Sequence, residues 1–226
     1  MIKHIGFIMD GNRRWAKKIA NLASFGHAKW SDNIENILQL CLDEKIEIVS
    51  MWALSKENIL ERSQVEIGGI FQLFRDKIPK LVEKLIKNSI RLDIVGDLWL
   101  VPADIRTLLL DAIEQTKEWK NMTCIFAIGH SGQDEIIRGI KRAIAEWIDP
   151  KTLDEKSFLT YLDTWKYPPP DLIVRTWGAI RHSGFFLYHS AYSEYFFTET
   201  LWPDFGKTDF YQALEFYNST KRNFWK

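Results

Sequence analysis

Five short apolar segments recur along the chain, and few polar residues interrupt them. Segments rich in Ile, Val, Leu and Phe without polar alternation are typical of strands that are buried on both faces of a sheet. The pattern therefore predicts strands at Ile5–Met9, Ile46–Leu54, Ile90–Val95, Thr123–Ile128 and Leu172–Thr176.

The intervals between these segments show helical periodicity. One predicted helical face carries Ile34, Ile37, Leu38 and Cys41, and another carries Phe71, Phe74, Ile78, Leu81 and Leu85. Two further helices are predicted over Ala103–Trp119 and Gln133–Trp147. Strands that alternate with helices predict an α/β fold with a mainly parallel central sheet flanked by helices. Because no internal repeat or long linker divides the chain, we expect a single domain over residues 1–226.

Polar clusters follow four of the predicted strands. They are Asp10-Gly11-Asn12, Ser55-Lys56-Glu57-Asn58, Gly129-His130-Ser131-Gly132 and Arg175-Thr176-Trp177-Gly178. In open parallel sheets, ligands bind outside the carboxyl ends of the strands. Because four polar clusters follow predicted strands, we expect a functional site at this edge of the sheet.

The first cluster suits an anion. Asp10-Gly11-Asn12 ends a strand, Arg13 and Arg14 follow, and a helix is predicted to start near Trp15. Backbone N–H groups at a helix N-terminus attract phosphates, and the carboxylate of Asp10 could hold a divalent cation against one. The alternative from these residues alone is an ordinary Asp-Gly-Asn turn with two solvated arginines.

Further polar residues leave two interpretations open. Arg175 and Arg181, with Ser183 nearby, could converge on a diphosphate or could be surface charges. His27 could donate to a phosphate or could be a core histidine. Glu194 lies in an aromatic segment, where a carboxylate is costly unless an arginine or a metal ion binds it.

Composition narrows the classes of function. Thirty basic and thirty acidic residues among 226 give a formal net charge of zero, which argues against a general nucleic-acid binder. Two cysteines are too few for a disulfide framework and favour a reducing, cytoplasmic setting. We expect no signal peptide and no transmembrane segment. Aromatic residues make up 14% of the chain, enough to fill a core or to line a cavity for an apolar ligand.

Five ordered motifs together resemble the cis-prenyltransferase family of the undecaprenyl diphosphate synthase type. The motifs are His4–Trp15, Phe25-Gly26-His27, Ser55–Asn58, Arg175–Ser183, and Tyr192–Phe197 followed by Leu201–Phe205. The resemblance covers almost the whole chain. It implies an enzyme that uses Mg²⁺ to ionise an allylic diphosphate and couples it to a second, C5 prenyl diphosphate such as isopentenyl or dimethylallyl diphosphate.

The resemblance also implies roles for single residues. Asp10 would bind Mg²⁺ and be the key catalytic carboxylate, and Glu194 would assist the metal. The allylic diphosphate would be cradled by Gly11, Asn12, Arg13, Arg14 and His27. The second diphosphate would be held by Arg175, Arg181 and Ser183. Asn12 would also be catalytic, and Ser55 and Asn58 would act near the reacting carbons. The family works as a homodimer.

Departures from the family pattern bear on the substrate. Trp177 stands where the family usually has glycine, Trp30 replaces another glycine, and Ala23 replaces an arginine. We expect Trp15, Trp30 and Trp177 to shape the pocket, and these changes favour a short-chain or irregular product. Lavandulyl-type synthases, which join two dimethylallyl units head-to-middle, are similar in character. The alternatives are an ordinary cis chain-elongating polyprenyl synthase and a non-catalytic partner subunit.

Overall fold

The computed structural model describes residues 2–19 and 23–220, and for residues 19 and 23–31 it describes the backbone alone. Its strands are β1 (His4–Ile8), β2 (Ile48–Ser55), β3 (Ile90–Val95), β4 (Met122–His130), β5 (Leu172–Arg175) and β6 (Glu194–Phe197). They form one sheet in the order β3-β4-β2-β1-β5-β6, and all neighbouring pairs are parallel. The predicted parallel α/β sheet is confirmed.

Helices connect the strands. They are α1 (Asn12–Ile19), α2 (Ala23–Asp43), α3 (Lys56–Glu61), α4 (Gln64–Lys87), α5 (Ala103–Thr116), α6 (Gly132–Ala145), α7 (Glu155–Leu159) and α8 (Lys207–Ser219). None of the helices in the described ranges is both long and apolar enough to cross a membrane. The predicted helices over Ala103–Trp119 and Gln133–Trp147 are confirmed as α5 and α6, each ending two or three residues earlier than expected.

One strand and three helices were not predicted. Strand β6 is four residues long and opens with a glutamate, so its pattern is too short to separate a strand from an aromatic loop. Helix α3 is six residues long and has no buried residue, and it therefore lacks an apolar face. Helices α7 and α8 were also not predicted.

The larger core lies on one face of the sheet. Four helices pack there and contribute apolar side chains, among them Ile37 from α2, Phe74 from α4, Leu109 from α5 and Phe210 from α8. Burial of such side chains is the main stabilising contribution to the fold. Strands β1 and β5 are buried along their whole length, whereas the edge strand β3 alternates Arg91 and Asp93 with apolar residues.

A smaller cluster covers the second face. Phe185 and Phe186 stack with ring centroids 4.6 Å apart, and both are buried against strand residues. A Cβ atom on Gly6 would lie 2.9 Å from the Phe185 ring, so the glycine lets this ring approach β1 closely. Helix α6 packs against the same segment at Gly132, which lies beside Gly184 and Leu187, and packs against Phe158 and Leu162 at Gly139. This face is thus covered by non-helical chain as much as by helices.

Strand order places the site. The chain continues from β1 through α1 and α2 to β2 on one side, while β5 pairs with β1 on the other side. The carboxyl ends of three neighbouring strands therefore meet, and Ile8 is in register with Arg175. A reversal of strand order of this kind opens a crevice at the sheet edge.

Candidate active site

A cavity of about 650 Å³ opens at the carboxyl ends of β1, β2 and β5. Its polar end carries five cationic side chains, which are Arg13, Arg14, Lys17, Arg62 and Arg175. The rest of its wall is largely apolar and includes Met9, Leu54, Ile70, Leu73 and Phe74. A cationic end continuous with an apolar end suits a ligand that joins an anionic group to a hydrocarbon.

Asp10 and Arg175 form the centre of the polar end. Arg175 is buried, and its Nε and Nη2 atoms lie 3.0 and 2.6 Å from Oδ2 of Asp10. Nη1 donates to the Ser183 hydroxyl at 2.7 Å and to the Arg181 carbonyl. Among the described residues no hydrogen-bond partner is recorded for Oδ1 of Asp10. That oxygen is available to a ligand.

The backbone at the end of β1 is fixed from both sides. The Asp10 carbonyl accepts hydrogen bonds from the Trp202 N–H at 3.0 Å and from the Thr176 hydroxyl at 2.7 Å. Gly11 follows with φ of +99°, and a Cβ atom there would lie 2.7 Å from Cδ2 of Leu201. Only glycine fits this position without strain. The turn therefore presents Asp10 in one orientation.

Asn12 begins helix α1 and lines the cavity. Its side-chain N–H₂ donates to the Met9 carbonyl at 2.8 Å, while its buried Oδ1 has no donor among the described residues. Helix α1 presents its N-terminus to the cavity, where unpaired backbone N–H groups favour anions. Asn12 thus adds an uncommitted oxygen close to the uncommitted oxygen of Asp10.

The cations at the polar end differ in their partners. Arg13 forms an exposed ion pair with Glu66 at 3.1 Å, and the Arg14 guanidinium carbon lies 4.9 Å from the ring centroid of Trp177. Arg62 donates to Oδ1 of Asn58 at 2.9 Å. Burial lowers the pKa of Arg62, and the positive charge of Arg13 lowers it further. Such crowding of like charges in a partly buried cavity favours an anionic ligand.

Ser55 and Asn58 form the start of helix α3. The Ser55 hydroxyl caps the helix by accepting from the Asn58 backbone N–H at 3.1 Å. Burial acts to raise the pKa of the neighbouring Glu57, but hydrogen bonds with Ser131 and Ser55 outweigh it and lower that pKa. All three residues line the cavity. The cap therefore orients this cluster toward the polar end.

Other predicted site residues lie outside the cavity wall. Trp15 is buried behind the loop after β1, where its indole N–H donates to Asp204 at 2.7 Å. The Arg181 side chain is exposed, and its carbonyl binds Arg175. His130 is fully buried, and its Nε2 accepts from the Phe186 N–H at 3.3 Å. The cluster after β4 therefore supports the second face and does not line the cavity.

Glu194 lies at the opposite edge of the sheet from Asp10. It is in register with Leu172 at the start of β5, whereas Asp10 follows Ile8, which is in register with Arg175 at the end of β5. At about 3.3 Å per residue, the two edges are at least about 10 Å apart. The two carboxylates therefore cannot share one ion within a single chain. His27 and Trp30 lie on α2, but their side chains are outside the described part of the structure.

Comparisons with known proteins agree with this geometry. A family model described as "Putative undecaprenyl diphosphate synthase" matches residues 8–225. The chain belongs to this family. The resemblance on which the sequence prediction rested is confirmed, and so is the prediction of a prenyltransferase.

Relatives of the chain in this family have named activities. A tritrans,polycis-undecaprenyl-diphosphate synthase (geranylgeranyl-diphosphate specific) of Thermoplasma acidophilum is 38% identical over 98% of this chain and 88% of the relative. An isoprenyl transferase of Chlorobaculum tepidum is 35% identical over 99% of this chain and 86% of the relative. Both relatives share nearly the full length of the chain.

Among solved structures, lavandulyl diphosphate synthase from Lavandula x intermedia in complex with dimethylallyl diphosphate is similar throughout. It superposes with a TM-score of 0.93 at 29% identity, over 98% of this chain and 97% of that one. The sheet and its helices are therefore arranged as in that family member.

The family implies a divalent metal, and the residues present fit one. Oδ1 of Asp10 and Oδ1 of Asn12 are both without hydrogen-bond donors in the described residues, and both are hard oxygen ligands. The described residues hold no cluster of three or more His, Cys, Asp or Glu side chains. Mg²⁺ commonly takes only one or two protein oxygens and completes its shell with water and phosphate.

Lys17, Arg62 and Trp52 are among the lining residues that the sequence analysis did not assign to the site. Lys17 lies three residues after Arg14 on α1, and Arg62 lies four residues after Asn58. Helical spacing of three or four residues places such pairs on one face, so the signal was present. Trp52 gave no comparable signal because it lies within an apolar strand and stacks on Phe185 at 5.4 Å.

Proposed function

We propose that the chain is a Mg²⁺-dependent prenyltransferase that couples an allylic diphosphate of C5 to C15 with a second C5 prenyl diphosphate and releases a short-chain or head-to-middle product. The observation that carries the proposal is one cavity with the Asp10–Arg175 pair and four further cations at its polar end and apolar helix residues at the other. The arrangement matches the two halves of a prenyl diphosphate.

The proposed reaction needs charge neutralisation first. The allylic C–O bond breaks to give an allylic cation and free diphosphate, and fixed cations stabilise the charge that develops on the leaving group. In the proposed assignment, Arg13, Arg14 and the N-terminus of α1 bind the allylic diphosphate, with His27 from α2. Arg175 and Ser183 then hold the second diphosphate, and the exposed Arg181 side chain, outside the cavity wall, is assigned to it by the family resemblance. Asp10 keeps Arg175 oriented through two hydrogen bonds to Oδ2.

The second step joins the two hydrocarbons. The alkene of the second prenyl diphosphate attacks the cation, a C–C bond forms, and the resulting cation loses a proton to the departed diphosphate. Apolar side chains, including Leu73 and Phe74, exclude water that would otherwise trap the cation. Ser55 and Asn58 line the cavity and would orient the reacting groups.

Mg²⁺ would be held by Asp10, with Asn12 as a second oxygen, and would supply Lewis-acid neutralisation of the leaving diphosphate. The chain's own contribution at this point is the pair of uncommitted oxygens at the end of β1. Arg175 limits Asp10 to one free oxygen, which suits an ion that keeps most of its ligands as water and phosphate.

The size of the cavity supports a short product. At about 30 Å³ per carbon, the volume of a liquid water molecule, a C10 chain needs about 300 Å³ and a C55 chain about 1,650 Å³. The observed 650 Å³ must also take two diphosphates. The close superposition on lavandulyl diphosphate synthase points the same way. The names of the Thermoplasma acidophilum and Chlorobaculum tepidum relatives instead favour ordinary chain elongation.

A homodimer is part of the proposal. Glu194 could assist the metal only from a second copy, because it lies at the far edge of its own sheet. Its strand, β6, is an edge strand with apolar neighbours Tyr195 and Phe197, and such edges are usually covered. Cys41 and Cys124 are both free and buried, which supports a cytoplasmic location.

The test is a product assay with purified protein and Mg²⁺. Dimethylallyl diphosphate is supplied alone or together with isopentenyl diphosphate, and products are measured by mass spectrometry after removal of phosphate. A C10 alcohol from dimethylallyl diphosphate alone supports head-to-middle coupling. Products of C30 or longer with isopentenyl diphosphate would instead establish an elongating enzyme. No product under either condition would contradict the proposal.

A further inference from the structure

Trp177 adopts a backbone conformation that favours glycine. Its φ is +79°, in the left-handed region that bulky residues rarely enter. Its N–H donates to the Thr200 carbonyl at 2.9 Å, and the next N–H, of Gly178, donates to the Thr198 carbonyl at 2.7 Å. Hydrogen bonds on both sides of the residue therefore hold it in this strained conformation.

The indole ring carries a second unfavourable feature. Its Nε1–H is buried and has no acceptor among the residues that the structure describes. A buried donor without an acceptor is destabilising, because it has lost its hydrogen bonds to water. Strained residues that their surroundings hold in place cluster at functional sites.

The ring contacts Arg14. The guanidinium carbon lies 4.9 Å from the ring centroid, within the range of a cation–π interaction. The other arginines of the cavity have polar partners: Arg13 has Glu66, Arg62 has Asn58, and Arg175 has Asp10. For the Arg14 guanidinium no ion pair is recorded within the described ranges, so its recorded contact is the face of Trp177.

We propose that Trp177 is a positioning residue that holds the Arg14 guanidinium at the polar end of the cavity for diphosphate binding. The inference rests on the proposed function, in which Arg14 binds a diphosphate. Without the ring, Arg14 is a long, exposed side chain that must be ordered each time a ligand binds. The ring performs that ordering in advance, at the expense of backbone strain and an unpaired indole N–H.

Binding of inorganic pyrophosphate, followed by calorimetry, tests this without turnover. Trp177→Gly should weaken binding by about 3- to 30-fold, the range that a cation–π contact supplies. Trp177→Phe keeps an aromatic face and should stay within about threefold of the original protein. Thermal melting of each variant checks that it is folded.

A double-mutant cycle distinguishes positioning from a general structural role. If Trp177 acts through Arg14, Arg14→Ala/Trp177→Gly should bind pyrophosphate as weakly as Arg14→Ala alone. Trp147→Gly is the matched control, since Trp147 is also a left-handed tryptophan, with φ of +55°, but is 92% exposed on the chain after α6. It should bind as the original protein does.

Two results would overturn the inference. Either Trp177→Gly binds pyrophosphate as well as the original protein, or its effect adds in full to that of Arg14→Ala. A third result would contradict the proposed function itself, namely that the original protein binds neither pyrophosphate nor a prenyl thiodiphosphate.

Discussion

Both hydrogen bonds from the Arg175 guanidinium to Asp10 end on the same carboxylate oxygen, Oδ2. Arg175 is itself held by Ser183 and by the Arg181 carbonyl, so it cannot follow Asp10 if that side chain moves. One oxygen of Asp10 is therefore engaged in orienting the carboxylate, and the other faces the cavity. Its two oxygens have separate roles.

Replacing this carboxylate should abolish most turnover. Asp10→Asn keeps the shape but removes the charge that orients Arg175 and would bind the metal, and we expect kcat to fall at least about 100-fold. Release of diphosphate from dimethylallyl diphosphate is the measurement. Asp104→Asn makes the same change in an exposed ion pair with Arg75, 2.7 Å long, and should leave kcat unchanged. Equal rates in the two variants would remove Asp10 from the mechanism.

The glycine after Asp10 should resist substitution. Gly11→Ala puts a Cβ atom 2.7 Å from Cδ2 of Leu201 at φ of +99°, and we expect the protein to lose about 1–3 kcal/mol of unfolding free energy. Gly68→Ala on α4 meets nothing within 4 Å and should gain about 0.4–1 kcal/mol. Urea unfolding measures both. A Gly11→Ala protein as stable as the original would show that the turn is not constrained as described.

Enlarging the apolar end should lengthen the product. Leu73 is half-buried and lines the cavity, so Leu73→Ala adds volume there while costing less than the roughly 2–5 kcal/mol of a fully buried leucine. We expect products about one C5 unit longer by mass spectrometry. Leu108→Ala changes a half-buried leucine on α5, away from the cavity, and should keep the original product. The same lengthening in both variants would show that the volume of the cavity at Leu73 does not determine product length.

Two buried imidazoles predict that stability falls in mild acid. Burial lowers the pKa of His4 and of His130 to about 4 from 6.5. Unfolding lets each ring take up a proton between these values, so their contribution is complete above pH 6.5. It falls toward pH 4 by up to about 1.4 kcal/mol per pH unit for each ring. Burial raises the pKa of Glu135, which acts in the opposite direction.

The comparison that isolates this effect uses His130→Gln, which can still accept from the Phe186 N–H. Urea unfolding at pH 7 and pH 5 should show a smaller acid-induced loss of unfolding free energy in the variant than in the original protein. Equal losses in the two proteins would mean that His130 is not buried as a neutral ring.

Much of the fold was predictable because its signals are local. The apolar run Ile5–Met9 marks a strand that is buried along its whole length, and the end of the run marks the edge where polar clusters gather. Strand β6 was not predicted because four residues are too few to show a strand-like alternation of apolar and polar positions. The cavity lining was predictable where polar residues directly follow or end strands, as Asp10, Ser55 and Arg175 do.

The rest of the site depends on side-chain packing between distant parts of the chain, which the hydrophobic and polar pattern of the sequence does not reveal. Nothing in the sequence distinguishes Trp177, whose ring meets Arg14, from Trp15, whose indole turns away toward Asp204. His130 ends a strand as Arg175 does, yet it is enclosed by Phe185 and Phe186. Direction of a side chain is decided by neighbours far away in the chain, and only the folded structure supplies them.

The most direct test of the account follows diphosphate release from dimethylallyl diphosphate by phosphorus NMR, with Mg²⁺ present, in the original protein and in Asp10→Asn. We expect Mg²⁺-dependent release in the original protein, accompanied by a coupled prenyl product, and at least about 100-fold slower release in the variant. Release that is equally fast in both proteins, or no release in either, would contradict it.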